Sequence, residues 1–282
     1  MLTAKDLPLA PLYLYQAKHV KKTTPRLPEP DGERAGITLL EKATSNIAND
    51  PTCNDKFNVL IVGDSAGAGV GVDTQDEAFL GQFIAALVQQ PNIQQQFQQI
   101  HWQLHATTGD TSFDLLQRLY AMPARAYQQP IDVVVISLGV NDVTARTPIA
   151  QWQANIQAII DVLQRKFTAR HIIFTNVPPM QRMPALPRPL NTLLGKMATR
   201  LDNALQRQCQ AHQTDKSKNS LIHADNSVHY SLLKFDTTAI DDKSLFAKDG
   251  FHPSAITYYH WAQNLAKKVN GFYAQSIKLI EF

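Results

Sequence analysis

Apolar residues in the body of this chain alternate between short continuous runs and stripes at helical spacing. The run 132–138 is apolar on both faces, which is typical of a central strand in a parallel sheet. The alternation predicts an α/β fold, a flavodoxin-like three-layer α/β/α sandwich around a mostly parallel, five-stranded sheet. The predicted strands are 57–62, 99–105, 132–138, 171–175 and 220–224.

The intervening helices have recognisable start and stop signals. Thr74 and Glu77 form a capping-box pattern that predicts a helix start near Thr74, and Pro91 is expected to end that helix. Further helices are predicted from Thr147-Pro148 with proline in the first position, over 190–212, and from Pro253 to about Gly271.

The first 50 residues differ from the rest in composition. They predict a proline-rich, basic arm that packs on, or extends from, a single domain over residues 51–282. Prolines at 8, 11, 25, 28 and 30 are expected to break any long helix there, and Lys18-His19-Val20-Lys21-Lys22 forms a basic cluster. Packing across the domain and contact with an anionic membrane surface are both open for this arm.

Charge and cysteine usage narrow the function classes. Residues 1–34 carry +2 of the net charge of +3, so the body is nearly neutral, which argues against a nucleic-acid partner. Cys53 and Cys209 have no metal or redox spacing and are interpreted as free thiols of a reducing compartment. Without a transmembrane run or a signal peptide, we expect a soluble, cytoplasmic protein, or a periplasmic one whose signal was removed.

The candidate nucleophile is Ser65. The first strand of the body ends abruptly in Gly63-Asp64-Ser65-Ala66-Gly67, which exposes a hydroxyl at the carboxyl end of a sheet. A serine hydroxyl needs a base, and His252 follows Asp249 by three residues, so that the carboxylate can orient the imidazole. The string also satisfies the G-x-S-x-G elbow of α/β-hydrolases, but in that fold several strands precede the serine and the acid lies far before the histidine.

Two further motifs lie just past the second and third predicted strands. Gly109 and Asn141 therefore fall at the sheet edge where open α/β folds bind ligands, and their backbone N–H and side-chain amide suit an oxyanion. The glycine-rich run 67–71 lacks the third glycine of a dinucleotide loop, because Val72 stands there. No cofactor and no metal are expected.

Gly63-Asp64-Ser65, Gly109, Gly139-Val140-Asn141-Asp142 and Asp249-Gly250-Phe251-His252 resemble, in order, the four blocks of the SGNH (GDSL-type) hydrolase family. The resemblance spans roughly residues 55–270. It implies Ser65 as nucleophile, His252 as base and Asp249 as its orienter, with Ser65, Gly109 and Asn141 forming the oxyanion hole. Ala66 departs from the expected leucine at a position that is not chemical.

The resulting function hypothesis is a serine hydrolase for small-molecule esters or thioesters with short to medium acyl chains. Met180, Met183 and Leu186, on the loop 178–187, are candidates for an acyl groove, and the insertion 226–248 is a candidate wall. Two alternatives stay open. One is a carbohydrate O-deacetylase of the same fold, and the other is a non-catalytic, membrane-associated binding module.

Overall fold

A computed structural model describes residues 7–40, 54–123, 129–215, 227–233 and 242–274. Within these ranges six strands form one sheet in the order β1-β3-β2-β4-β5-β6. All neighbouring strands are parallel except β1, which pairs antiparallel with β3. The strands are β1 (Ala35–Leu39), β2 (Asn54–Gly63), β3 (Phe97–Ala106), β4 (Val133–Ser137), β5 (His171–Thr175) and β6 (Ser227–Ser231).

Helices cover both faces of the sheet and give the predicted three layers. Alternate residues of β2 enter different cores, Leu60 and Val62 on one face and Val59 and Ile61 on the other. The first core packs under α5, α7 and α8, and the second under α3 and α9. The helices are α1 (Ala10–Thr23), α2 (Ser65–Ala68), α3 (Phe79–Val88), α4 (Pro91–Gln96), α5 (Ser112–Ala121), α6 (Val140–Ala145), α7 (Ile149–Lys166), α8 (Leu190–Asp215) and α9 (Ala255–Phe272).

The five-strand count is corrected to six, because Ala35–Leu39 of the predicted arm joins the sheet edge. The predicted strand 220–224 lies outside the described residues, and the last described strand is Ser227–Ser231. The domain boundary at residue 50 stays a prediction. Proline also does not prevent a helix in the arm, since Pro11 occupies the first turn of α1, where its missing N–H has no intrahelical acceptor.

Four helix boundaries also need correction. The helix expected near Thr74 begins at Phe79, because Thr74 and Glu77 close a turn instead, with their side chains 3.3 Å apart. Pro91 opens the short helix α4 rather than ending α3. Pro148 precedes α7 as its N-cap, and Ser254 rather than Pro253 caps α9, where its hydroxyl accepts the Thr257 N–H.

The topology places the ends of β2, β3 and β4 side by side. Gly63 of β2 is in register with Ala106 of β3 and Ser137 of β4. The chain runs from β2 to β3 on one side and then crosses to β4 on the other, so strand order reverses at β2. A crevice outside the carboxyl end of such a strand is the usual ligand site of open α/β sheets.

Two remaining expectations concern membranes and thiols. None of the helices in the described part of the chain has the length and apolarity that crossing a bilayer requires. Cys209 is a buried free thiol whose pKa burial raises to about 12, whereas Cys53 lies outside the described residues.

Candidate active site

A tight turn between β2 and α2 presents Ser65. Gly63 adopts φ +142°, and a Cβ there would lie 2.0 Å from the Ser137 carbonyl oxygen, so only glycine fits against the neighbouring strand. Asp64 caps α2 by accepting the Ala66 N–H at 3.1 Å. Ser65 therefore stands at the first position of α2, directly above the end of the central strand.

Ser65, His252 and Asp249 form a hydrogen-bonded chain. His252 Nε2 lies 3.0 Å from Ser65 Oγ, and His252 Nδ1 lies 2.5 Å from Asp249 Oδ2. The other Asp249 oxygen accepts the backbone N–H groups of Phe251 at 2.9 Å and His252 at 3.0 Å. The carboxylate thus fixes both the loop and the imidazole ring of His252, with Nε2 directed at Ser65.

These hydrogen bonds stabilise the ionised form of Asp249. Burial alone raises the pKa of this carboxyl, but the His252 ring and the two backbone N–H groups outweigh it, so its pKa lies below the ordinary 3.8. A depressed folded-state pKa stabilises the fold above the unfolded value, and this contribution is lost as the pH falls through the folded pKa. Asp249 is therefore a carboxylate throughout the neutral range.

The loop after β3 carries Gly109 beside the serine turn. Thr107 N–H donates to the Gly63 carbonyl at 3.0 Å, which ties the loop to the end of β2. Asn141, in the first turn of α6, donates through Nδ2 to the Asp110 carbonyl at 2.9 Å. Because a primary amide has two N–H bonds, Asn141 can anchor this loop and still offer a donor to an oxyanion. Gly109 itself has φ +94°.

Asp142 braces the same loop from below. It is fully buried and accepts both the N–H of Ser112 at 2.9 Å and its hydroxyl at 2.7 Å. Asn155 of α7 in turn donates to the Ser112 hydroxyl at 2.9 Å. Burial raises the pKa of Asp142 above the ordinary 3.8, because it outweighs the hydrogen bonds from Ser112, which lower the pKa. The N-terminus of α5, which follows the Gly109 loop, is thereby fixed relative to α6 and Asn141.

Asp64 is a second buried carboxyl at the site. Burial raises its pKa to about 7, although the Ala66 N–H, the Ser137 hydroxyl and the charge of His252 oppose the shift. Because the folded pKa lies above the ordinary 3.8, the stability associated with this group is present at low pH and is lost as the pH rises toward 7. The sequence assigned Asp64 no role, and the structure makes it the cap of the nucleophile turn.

An apolar cavity of about 190 Å³ opens beside Ser65 and His252. Met183 of the predicted acyl loop lines it, whereas Met180 and Leu186 are buried in the core under α8. The insertion 226–248 contributes walls from its described parts, Leu233, Leu245 and Phe246. The remaining apolar lining comes from Ala66, Leu138, Val140, Pro178, Pro179, Phe251, Pro253 and Trp261.

Comparison with known protein families identifies the family of this chain. A profile of the GDSL-like lipase/acylhydrolase family matches residues 61–259, which is more than half of the chain and includes every candidate site residue. The chain belongs to this family. Its class of reaction is therefore ester hydrolysis. A comparison with curated proteins finds no significant match.

Solved structures of GDSL-like hydrolases and related enzymes share the fold. An α/β hydrolase, LAE5, from the Lake Arreo metagenome has a TM-score of 0.53 at 14% identity and covers 79% of this chain and 99% of its own. The lipase/acylhydrolase from Enterococcus faecalis has a TM-score of 0.50 at 20% identity, and the match covers 76% of this chain and 96% of that one. The family 3 carbohydrate esterase from Clostridium thermocellum has a TM-score of 0.53 at 15% identity, and the match covers 78% of this chain and 98% of that one.

The structure brings all the sequence-predicted residues of this GDSL-like site to one sheet edge. Their catalytic roles remain predictions. Within the described residues, no group of three or more His, Cys, Asp or Glu side chains is arranged to hold a metal ion. The sequence did not reveal the side chains that support the Gly109 loop. These are Asp142, Arg118, which donates to Thr107 and to Asp110, and Glu29, which accepts from Thr108. Of these, only Asp142 stood in a recognised motif.

Replacing Asn141 with alanine is expected to lower kcat by roughly 10²–10³-fold, because it removes a donor that strengthens as the oxyanion forms. The free energy of unfolding should change little, since the lost hydrogen bond to Asp110 is partly exposed. Steady-state kinetics and urea unfolding measure the two effects. Asn203→Ala, at an exposed position on α8, is the matched control. Near-normal turnover in Asn141→Ala would remove this residue from the oxyanion hole.

Proposed function

We propose that this protein hydrolyses carboxylic esters or thioesters with short to medium acyl chains through an acyl-serine intermediate. The observation that carries the proposal is the chain from Ser65 Oγ through His252 to Asp249, which opens onto an apolar cavity. Family membership supports the reaction class, and the cavity supports the substrate class.

In the first half-reaction, Ser65 Oγ attacks the acyl carbonyl while His252 Nε2 takes the hydroxyl proton. The resulting oxyanion accepts hydrogen bonds from the N–H groups of Ser65 and Gly109 and from the Asn141 amide. His252 then gives its proton to the departing alcohol or thiol. Water repeats the sequence, with His252 as its base, and releases the carboxylic acid and the free serine.

The size of the cavity sets the expected acyl length. Its 190 Å³ falls below the roughly 300–1,000 Å³ of pockets for drug-sized ligands, and an apolar cavity of roughly 150 Å³ is enough for benzene. A chain of about six carbons therefore fills the space. Burial of each methylene contributes about 0.8 kcal/mol, so longer chains gain until the cavity is full.

The test is hydrolysis of the p-nitrophenyl esters of acetate, butyrate and octanoate by the full-length protein. We expect kcat/KM to rise about tenfold from acetate to butyrate, from two buried methylenes, and not to rise further at octanoate. Hydrolysis of acetate alone would favour the carbohydrate O-deacetylase alternative. No hydrolysis of any ester, with no covalent labelling of Ser65, would contradict the proposal.

Leu233→Trp tests whether the cavity holds the acyl chain. Leu233 is a partly buried wall residue two positions after β6, and a larger side chain there takes space from the ligand. We expect the octanoate-to-acetate ratio of kcat/KM to fall about tenfold or more, since one methylene of misfit costs roughly 10–200-fold. Leu232→Trp, at the exposed neighbouring position, is the control. A parallel loss on all three esters would place the acyl chain elsewhere.

The binding-module alternative rests on the basic cluster of α1. Its exposed face combines Leu12, Leu14 and Tyr15 with Lys18, Lys21 and Lys22. Contact of this face with an anionic membrane stays a prediction. No observation at the site favours it over catalysis.

A further inference from the structure

The loop that carries Gly109 has few packing neighbours of its own. A Cβ at Gly109 would meet no atom within 4 Å, and both Thr108 and Gly109 are exposed. An oxyanion donor nevertheless works only if it is held in place before the charge forms. The hydrogen bonds around residues 107–110 must therefore hold this loop.

Arg118 holds one side of this loop through Asp110 at 2.6 Å, and the N-terminal segment 29–34 holds the other side. Glu29 Oε1 accepts the Thr108 N–H at 2.9 Å and the Thr108 hydroxyl at 2.7 Å. Its other oxygen accepts from Arg34 at 2.8 Å, and Arg34 also donates to the Ala106 carbonyl at the end of β3. A carboxylate of the N-terminal segment thus clamps Thr108, the residue immediately before Gly109.

The segment that carries Glu29 is itself fixed at several points. The backbone of Asp31 bonds to Asp73 at 3.0 Å and to Gln75 at 2.8 Å, and the Arg34 carbonyl accepts the Leu104 N–H at 2.7 Å. Pro30 is buried against Gly69, at the end of α2. Prolines on both sides of Glu29 restrict its backbone further. The clamp is therefore anchored to the same turn that presents Ser65.

The charge of Glu29 matches this task. Partial burial alone would raise its pKa, but the Thr108 hydrogen bonds and the adjacent Arg34 lower it below the ordinary 4.5. Hydrogen bonds to an ionised acceptor are roughly twice as strong as neutral ones. The ion pair with Arg34 is about one-third exposed on both sides and adds little to overall stability. Its effect is local orientation.

We propose that Glu29 is a positioning residue for the reaction, which fixes the Thr108 peptide so that the Gly109 N–H faces the oxyanion. The inference rests on the proposed function, because it assigns the N-terminal segment a part in the same oxyanion hole. This role also accounts for the hydrogen bond between Glu29 and Thr108, which lie 79 residues apart in sequence.

The test compares Glu29→Ala, Glu29→Gln and the control Glu33→Ala, an exposed glutamate of the same segment, in the full-length protein. We expect Glu29→Ala to lower kcat and kcat/KM together by about tenfold, with KM unchanged. This loss is smaller than the roughly 10²–10³-fold loss that follows when an oxyanion donor is removed outright. Glu29→Gln keeps one oxygen for the Thr108 N–H but loses the charge and the acceptor for Arg34, so it should recover part of the rate and lie between Glu29→Ala and the wild type. Glu33→Ala should match the wild type.

Amide resonances of Thr108 and Gly109 give a readout independent of turnover. Loss of the carboxylate should speed hydrogen exchange at Thr108 in Glu29→Ala but not in Glu33→Ala. Normal kcat in Glu29→Ala, or equal losses in both Glu29 variants together with a lower unfolding midpoint, would overturn the inference while the proposed function stands. A wild type that hydrolyses no ester and whose Ser65 resists a fluorophosphonate probe would overturn both.

Discussion

Ser65→Ala is expected to reduce ester hydrolysis by on the order of 10⁶-fold in kcat, because the acyl-serine intermediate can no longer form. The hydroxyl is the group that His252 Nε2 meets at 3.0 Å. Residual catalysis by the oxyanion hole and by binding alone should still exceed the uncatalysed reaction by roughly 10³-fold. The butyrate ester, for which we expect the highest rate, gives the widest range for this measurement.

Covalent labelling provides a second measurement of the same variant. A fluorophosphonate should add to wild-type Ser65 with loss of fluoride, and peptide mass spectrometry should locate the adduct there. Thr192→Ala, which removes an exposed hydroxyl at the start of α8, should label and turn over normally. Activity that survives in Ser65→Ala with an unchanged unfolding transition would show that another group is the nucleophile.

Asp249→Asn is expected to lower kcat by about 10⁴-fold while KM changes little. An asparagine amide in this position donates to His252 Nδ1, which then cannot carry the proton, so the proton moves to Nε2. The nitrogen that lies 3.0 Å from Ser65 Oγ loses its lone pair for the serine proton, and His252 no longer acts as a base. The backbone N–H groups of Phe251 and His252 still find an oxygen, so the loop should keep its shape.

Asp76→Asn, at an exposed position before α3, controls for the chemistry of the substitution. Urea unfolding of both variants separates a misplaced proton from a misfolded loop. The wild-type carboxylate has a depressed pKa, so the neutral range should show no loss of stability from its protonation. A fall of less than about tenfold in Asp249→Asn would mean that the imidazole is oriented by another group.

Much of the site was readable because its motifs are local. Gly63 through Gly67 forms one turn, and Asp249 reaches His252 within a single loop, so three-residue spacing already implies contact. The convergence of Ser65, Gly109 and Asn141 was also predictable, since each follows a strand and parallel strands end at one edge. The core strands 57–62 and 171–175 were found because buried parallel strands are continuously apolar.

The edge strand Ala35–Leu39 was not predicted, because it is short, half exposed and owes its pairing to β3 rather than to its own pattern. The helix start at Phe79 was missed for a related reason. Thr74 and Glu77 do interact, but the Gln75 backbone is bonded to Asp31, so the chain stays in a turn there. In both cases tertiary hydrogen bonds override a local signal.

By itself, then, the sequence determined the layered α/β fold, the family and the residues proposed for the chemistry, because these depend on periodicity and on spacing within single turns. Only the tertiary structure decided that the N-terminal segment contacts the Gly109 loop. Glu29 and Thr108 lie far apart in the chain, and neither stands in a motif. Their contact depends on where β1 and β3 pack, and no local pattern encodes that distance.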